Sequence, residues 1–372
     1  MNLPSRAVAS ALEKPLGCVN LLTIIKVSGA LVAFIIGAGF ATGQEIMQFF
    51  AVHGLRGIGG SLIFLLLCTY LCVSLLLAGH KHGFMSVDEI FKYYTGNLLG
   101  TVFSSCAVVL TFSVYVLMLS GAGSLVNESY GYPVHVGSLL LAMAVLVTVY
   151  FGLHGLITII GYMGPLLVVL ILVITASKVL QDPGQIEVGN ALIPSLETLQ
   201  VSSHWWLSGV LYTAIQVVGL LSFLPAIGST VDNKKTLVYA GILGPALVFC
   251  ALALTVLALL SSMPEVNSKM IPMLYMASST MPYISSLFVV IIFAGLFTTA
   301  APLLWIVLMR FTKNDSKHYR VLAVTLSLLG VVGSLTLPFD RLVNIIYPVI
   351  GYSGALLIGF MLIKQIRIRA LA

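Results

Sequence analysis

Ten long apolar stretches dominate this chain, and they leave it one solvent. They run approximately over 22–50, 57–79, 98–126, 134–150, 156–180, 207–231, 236–261, 283–310, 319–337 and 341–364. A helix needs about 20 mostly apolar residues to cross the hydrocarbon layer. Period-2 alternation is absent, so the stretches are expected to be helices and not barrel strands. Of 372 residues only 8% are charged, against about a quarter in a soluble domain. A water-soluble enzyme is excluded on that ground, and the lipid bilayer is the expected partner. HExxH, GxSxG, P-loop and TVGYG filter motifs are absent as well, and no enzymatic activity is expected.

Lys and Arg set the orientation. If the N-terminus is cytoplasmic, only Arg56, Lys178, Lys269 and Arg341 of the 18 basic residues fall on the outer side. Both termini are then cytoplasmic and the bacterial inner membrane is the expected location. The formal charge of +6 belongs to these topology signals, so no nucleic-acid partner is expected. Residues 1–21 lack the apolar core of a signal peptide and are expected to form a cytoplasmic tail, as are 365–372. The five cysteines (Cys18, Cys68, Cys72, Cys106 and Cys250) have no framework spacing. None of the seven histidines has metal spacing.

The chain divides into two five-helix units, 22–181 and 207–364, joined by the outer connection 182–206. Five is odd, so a repeat between them must be inverted. IGYMGPLLVVLIL at 160–172 aligns with IGYSGALLIGFML at 350–362 through a shared G-Y-x-G core. Inverted repeats are a mark of secondary transporters, which work by alternating access around a site near the midplane. A second outer connection, 262–282, carries Pro264, Pro272 and Pro282. It is either a plain loop or a helical lid.

The first span, LVAFIIGAGFATGQEIMQFF at 31–50, contains Gly37, Gly39, Gly43 and Glu45. Each interior Gly weakens a helix by about 1 kcal/mol relative to Ala, so an unwound segment is expected here. Thr42-Gly43-Gln44-Glu45 fits a capping box, with Thr42 accepting from the Glu45 N–H and Glu45 reaching back to Thr42. A new helix would start there and present its N–H groups to an anion. The competing interpretation is that Gly39 and Gly43 form a small-xxx-small packing contact. A carboxylate at depth costs about 2.5–3.5 kcal/mol, which packing does not require. Glu45 is therefore expected to cap a helix or carry a proton.

Span 6 is the inverted counterpart. Gln216, Gly219 and Pro225 interrupt LYTAIQVVGLLSFLPAIGS at 211–229. The expectation is a matching break, with a simple proline kink as the alternative. Thr298 and Thr299 lie in the middle of span 8, followed by Pro302. They either face the unwound backbone or bond back to carbonyls of their own helix. Tyr115 either reaches the cavity or fills core space. Ser120-Gly121-Ala122-Gly123 is expected to permit close helix packing, and Asn127-Glu128-Ser129 fits a glycosylation sequon.

IIGAGFATGQEIMQFF at 35–50 and YVLMLSGAGSLV at 115–126 resemble the YkvI-type family of bacterial membrane proteins. That family is similar to the amino acid–polyamine–organocation superfamily. The resemblance implies a LeuT-like fold: an all-α membrane protein of ten helices in a 5+5 inverted repeat, with helices 1 and 6 broken. In sodium-coupled members of the superfamily an ion sits between the unwound first helix and a hydroxyl pair on the eighth. Carried over, this implies a sodium site of the Ala33, Ile36 and Gly295 carbonyls with the Thr298 and Thr299 hydroxyls. It implies a small amino-acid-like solute held by Gly37, Ala38, Gly39, Tyr115, Gln216 and Gly219, with Thr42 and Glu45 in coupling or gating. Thr42-Gly43-Gln44-Glu45 departs from the Trp-Arg-Phe-Pro element of the sodium symporters of neurotransmitters, so their gating is not carried over. Sodium is the coupling ion implied, and a proton on Glu45 is the alternative. A receptor or scaffold without transport is the alternative of another class. The solute's identity and the oligomeric state are left open.

Overall fold

The computed structural model describes residues 19–84, 86–151, 156–312 and 317–370. Most of the expected N-terminal tail therefore lies outside the described residues, as do Lys313 and His154. The described chain is all-helical. The first span is α1 (Leu21–Ile35), α2 (Ala38–Thr42) and α3 (Gln44–Phe49). Then follow α4 (Arg56–His82), α5 (Val87–Thr95), α6 (Asn97–Tyr130), α7 (Val134–Phe151) and α8 (Leu156–Gln181). The second half begins after α9 (Gln185–Leu192) with α10 (Trp205–Thr230) and α11 (Lys234–Leu260). It continues with α12 (Met263–Val266), α13 (Pro272–Thr280), α14 (Pro282–Phe311), α15 (Lys317–Ser334) and α16 (Phe339–Ala370).

Among the described residues, seven helices are long and apolar enough to cross a bilayer: α4, α6, α8, α10, α11, α14 and α16. The chain is a multi-pass membrane protein. The other three expected spans correspond to the interrupted α1–α3 run, to α7 and to α15. The segment 365–370 of the expected tail is helical, as the end of α16.

Lipid offers no hydrophobic drive between helices, so close backbone approach at small residues holds such bundles together. The α4–α10 seam shows this. A Cβ on Gly209 would stand 2.2 Å from the Gly60 carbonyl oxygen, and one on Gly79 would stand 2.1 Å from that of Pro225. The same holds between α6 and α7, where Gly137 abuts the Ala122 carbonyl and Gly123 abuts Val134. That is the packing expected of the Ser120–Gly123 segment.

The second glycines of the aligned G-Y-x-G segments each face an alanine, one through its side chain and one through its backbone. Gly164 on α8 faces Ala33 of α1, and Gly354 on α16 faces Ala214 of α10. In each half, the fifth helix thus uses its matched glycine to pack against the first.

The expected break in helix 6 is not present. α10 is one continuous helix of 26 residues, with Pro225 inside it. A proline removes one backbone donor, and in a membrane neighbouring helices can hold both flanking turns in place. Here α4 lies directly against Pro225, made possible by Gly79. Pro245, Pro302 and Pro348 likewise lie inside unbroken helices. Gly219 serves contact, not unwinding: a Cβ there would come 2.3 Å from the Phe34 ring, which stacks on Phe223 at 5.4 Å.

Gly209→Ala should therefore overpack the α4–α10 seam and cost about 1–3 kcal/mol. Gly29→Ala, in α1 with open space around it, should gain up to about 1 kcal/mol from helix propensity. Thermal unfolding in detergent should move the two midpoints in opposite directions.

Candidate functional site

The interruption of the first helix is built by backbone geometry. Ile36 N–H donates to the Val32 carbonyl (2.8 Å), and the next ladder bond runs from Ala41 N–H to the Gly37 carbonyl (3.1 Å). The carbonyls of Ala33, Phe34, Ile35 and Ile36 take no part in that ladder, nor do the amides of Gly37, Ala38, Gly39 and Phe40. A helix end always leaves such groups; here the C-terminal set of α1 and the N-terminal set of α2 fall on eight consecutive residues, Ala33 to Phe40. Six residues on, Gly43 adopts φ 80° and ends α2, a left-handed conformation that favours glycine. Every residue from Phe40 to Val52 is buried.

The capping box is not formed. Gly43 occupies the N-cap position of α3, and its positive φ turns the Thr42 side chain elsewhere. The Thr42 hydroxyl donates to the Gly39 carbonyl (2.7 Å) and accepts from the Gln44 N–H (3.3 Å). Glu45 is thereby released from any capping role. Its carboxylate is buried and accepts a hydrogen bond from the Tyr212 hydroxyl of α10 (3.2 Å). The Tyr347 hydroxyl of α16 lies on its other side, and both crowd Gly39, whose added Cβ would stand 2.6 Å from Glu45 Oε2 and 2.8 Å from Tyr347 Oη. Tyr212 is walled by Phe49, Phe50 and Phe64 at 4.9–5.3 Å. A carboxyl group of the first half is thus gripped by two phenols of the second.

One turn further, Asn344 Nδ2 donates to Gln48 Oε1 (3.0 Å) and Gln48 Nε2 donates to the Asp340 carbonyl (2.8 Å), tying α3 to α16. Gln44 Oε1, beside the Gly43 turn, is buried with no hydrogen-bond partner.

Of the residues expected to bind sodium, Gly295 on α14 comes to the break. Its Cβ position lies 3.9 Å from that of Ala38. The Thr298 and Thr299 hydroxyls both donate to the Gly295 carbonyl (3.0 Å each). They bond back within their own helix, with their lone pairs still available. Ala33 faces Gly164 of α8, and Ile36 is buried at the end of α1.

Of the residues expected to hold solute, Gly37, Ala38 and Gly39 form the break itself. Gln216 is half-buried on the continuous α10, and Gly219 meets Phe34. Tyr115 is not brought to the break: its ring packs against Gly330 of α15, filling the space a helix glycine leaves there.

Above the break lies the second outer connection, which is helical. Gly43 abuts Met273 and Pro272 of α13, 2.8 Å and 3.3 Å from an added Cβ. Glu128, within the expected sequon, accepts from the Met270 and Ile271 amides (2.7 Å and 3.1 Å) and so ties the turn before α13 to the end of α6. No local pattern marks Glu128, Tyr212 or Tyr347, because their partners lie 142 or more residues away.

No protein-family model matches the chain. It is 26% identical over 341 residues to the Bacillus subtilis (strain 168) protein described as "uncharacterized membrane protein YkvI", covering 90% of this chain and 94% of that one. Among solved structures, MhsT in complex with L-phenylalanine superposes with TM-score 0.62 at 16% identity, covering 93% of this chain and 89% of MhsT. A manganese transporter of Eremococcus coleocola gives 0.56 at 14% identity, covering 95% and 82%. The fold is the LeuT-like one shared with MhsT.

Two substitutions test the geometry. Gly43→Ala places a Cβ at φ 80° against Met273 and should cost at least about 1–2 kcal/mol. Tyr212→Phe should cost about 1–3 kcal/mol by leaving the buried Glu45 short of a donor. In a Glu45→Ala background that cost should largely vanish in a double-mutant cycle.

Proposed function

We propose that this chain is a secondary active transporter of the bacterial inner membrane, both termini cytoplasmic, that carries a small amino-acid-like solute by alternating access. The observation that carries the proposal is the interruption between α1 and α2, where the carbonyls of Ala33–Ile36 and the amides of Gly37–Phe40 are left out of the helical ladder. Irregular backbone is tolerated at membrane depth only where it is enclosed by protein or lines a cavity. The amides of Gly37–Phe40 suit a carboxylate, as helix N-termini do. The carbonyls of Ala33–Ile36 suit a hard cation or an ammonium group. The unpartnered Gln44 oxygen adds an acceptor nearby. Superposable structures include one holding L-phenylalanine, an ammonium carboxylate.

Sodium is the proposed coupling ion. Gly295 already lies against Ala38, so α14 can bring the Thr298 and Thr299 lone pairs towards the Ala33 and Ile36 carbonyls. A bound cation would neutralise those carbonyls and order the break, raising solute affinity by linkage. Glu45 supports proton coupling as a second reading. It meets two phenols and, among the described residues, no ion pair, so it can exchange a proton without breaking a salt bridge.

Purified protein in proteoliposomes should take up an amino acid from a screened panel saturably, driven by an inward sodium gradient. Sodium at 100 times its dissociation constant should stabilise the protein by about 2.7 kcal/mol, and Thr298→Ala should weaken that effect at least tenfold in sodium concentration. Absence of any sodium effect on both unfolding and uptake would reject the sodium site. Uptake that follows a pH gradient and loses this dependence in Glu45→Gln would place the coupling on the carboxyl group. Solute binding without flux under every gradient would make the chain a receptor.

A further inference from the structure

A cleft at the opposite end of α4 is used by none of these contacts. The last turns of α4, the aromatic pair Tyr93 and Tyr94 on α5, and Lys364 and Gln365 on α16 enclose a cavity of about 250 Å³. Its basic lining is Lys81 and Lys364, with the His82 ring beside them, and no acidic residue lines it. Lys364 stands over the Tyr93 ring at 3.4 Å from its centre and donates one hydrogen bond to the Tyr93 carbonyl. Two of its three protons remain for another acceptor.

A second cavity, of about 340 Å³, continues from the first and shares Ser74, Leu77 and Gln365 with it. It runs back along α4 to Thr69 and is flanked on α11 by Val238 and Ile242. No charged side chain lines it. Twelve residues separate Thr69 from Lys81, so the combined cleft is about 18 Å long at the rise of an α-helix. Gln365 donates to the Ser74 hydroxyl where the two cavities meet. The cleft is therefore cationic at its mouth, polar at its junction and apolar along its length. Its open apolar part faces the bilayer, since Ile242 is exposed on the outside of α11.

We infer that this cleft binds an anionic phospholipid, with its phosphate at Lys81, His82 and Lys364 and one acyl chain along Val73, Leu77, Val238 and Ile242. Basic pockets between membrane helices select anionic head groups by charge, and long basic side chains lie along apolar surface while keeping their heads at the interface. The same end carries the Arg310–Asp88 pair between α14 and α5, which places α5 as a collar at the membrane surface. No lining residue belongs to α1, α2, α3 or α14, so the inference stands apart from the proposed transport site.

The test uses the full chain, delipidated in a non-ionic detergent. Phosphatidylglycerol, phosphatidylcholine with the same acyl chains, and inorganic phosphate are titrated separately while thermal unfolding is followed. Phosphatidylglycerol should raise the midpoint saturably, at a mole fraction at least tenfold below that at which phosphatidylcholine acts, and inorganic phosphate should do nothing. K81Q/K364Q should erase the preference. Leu77→Trp, which fills the apolar part without altering charge, should weaken phosphatidylglycerol binding at least fivefold. If the double variant does not fold, K81Q, at an exposed position, should lower the preference at least threefold. Equal action by the two lipids would overturn the inference. So would full reproduction by inorganic phosphate, or an undiminished preference in both K81Q and Leu77→Trp.

Discussion

Backbone amides and carbonyls cannot be left to hydrocarbon, and the structure is organised around the one place where the helical ladder lapses. Each unpaired group at depth costs several kcal/mol. The chain buries Ile35, Ile36 and Ala38 at the lapse and the whole segment that follows it, Phe40 to Val52, while Ala33, Gly37 and Gly39 stay half-buried. The surrounding helices are close enough to do so because glycines line their contacts. Gly295, Gly164, Gly209 and Gly354 let backbones approach at the faces nearest α1 and α10. The break is thus a property of the packed bundle as much as of Gly37 and Gly43.

The two halves resemble each other in packing but not in backbone continuity. Gly164 and Gly354 face Ala33 and Ala214, so α10 occupies the place of α1 in its own half. Yet α10 passes through Gly219 and Pro225 unbroken. What differs is the density of helix-weakening residues. Three glycines fall within seven residues in the first span, whereas Gly219 and Pro225 are six apart and each is supported by a neighbour, Phe34 or Gly79. One broken and one continuous partner helix leave unpaired backbone on α1 and α2 but not on α10, which contributes side chains instead, among them Tyr212 to Glu45.

The apolar spans and the lapse in the first helix were legible because each rests on local composition, long apolar runs and clustered glycines; the prolines of 262–282 left a plain loop and a helical segment equally open. The site's side-chain partners were not legible. Thr42-x-x-Glu45 is a sound capping pattern, but it assumes ordinary backbone between its ends, and Gly43 at φ 80° breaks that assumption. A carboxylate freed from capping must find donors elsewhere, and these came from Tyr212 and Tyr347, 167 residues away in the first case. Tyr115 illustrates the converse. A tyrosine in an apolar span has the same sequence appearance whether it faces a cavity or a glycine on the next helix, and here it faces Gly330.

Glu45 and Glu128 act at the two ends of one mechanical path. Glu128 anchors the amides just before α13, α13 rests its Met273 on Gly43, and Gly43 sets the start of the helix that carries Glu45 into the grip of Tyr212 and Tyr347. Any movement of α13 away from Gly43 removes the support on that residue, whose φ of 80° is unfavourable for continuing a helix. Any change in charge on Glu45 alters its hold on α10 and α16, which belong to the opposite half. Contacts from α10, α13 and α16 thus meet around Gly39 and Gly43. This gives the glycines a role that packing alone does not: they are where the outer cover, the buried carboxyl group and the bare backbone share the same few ångströms.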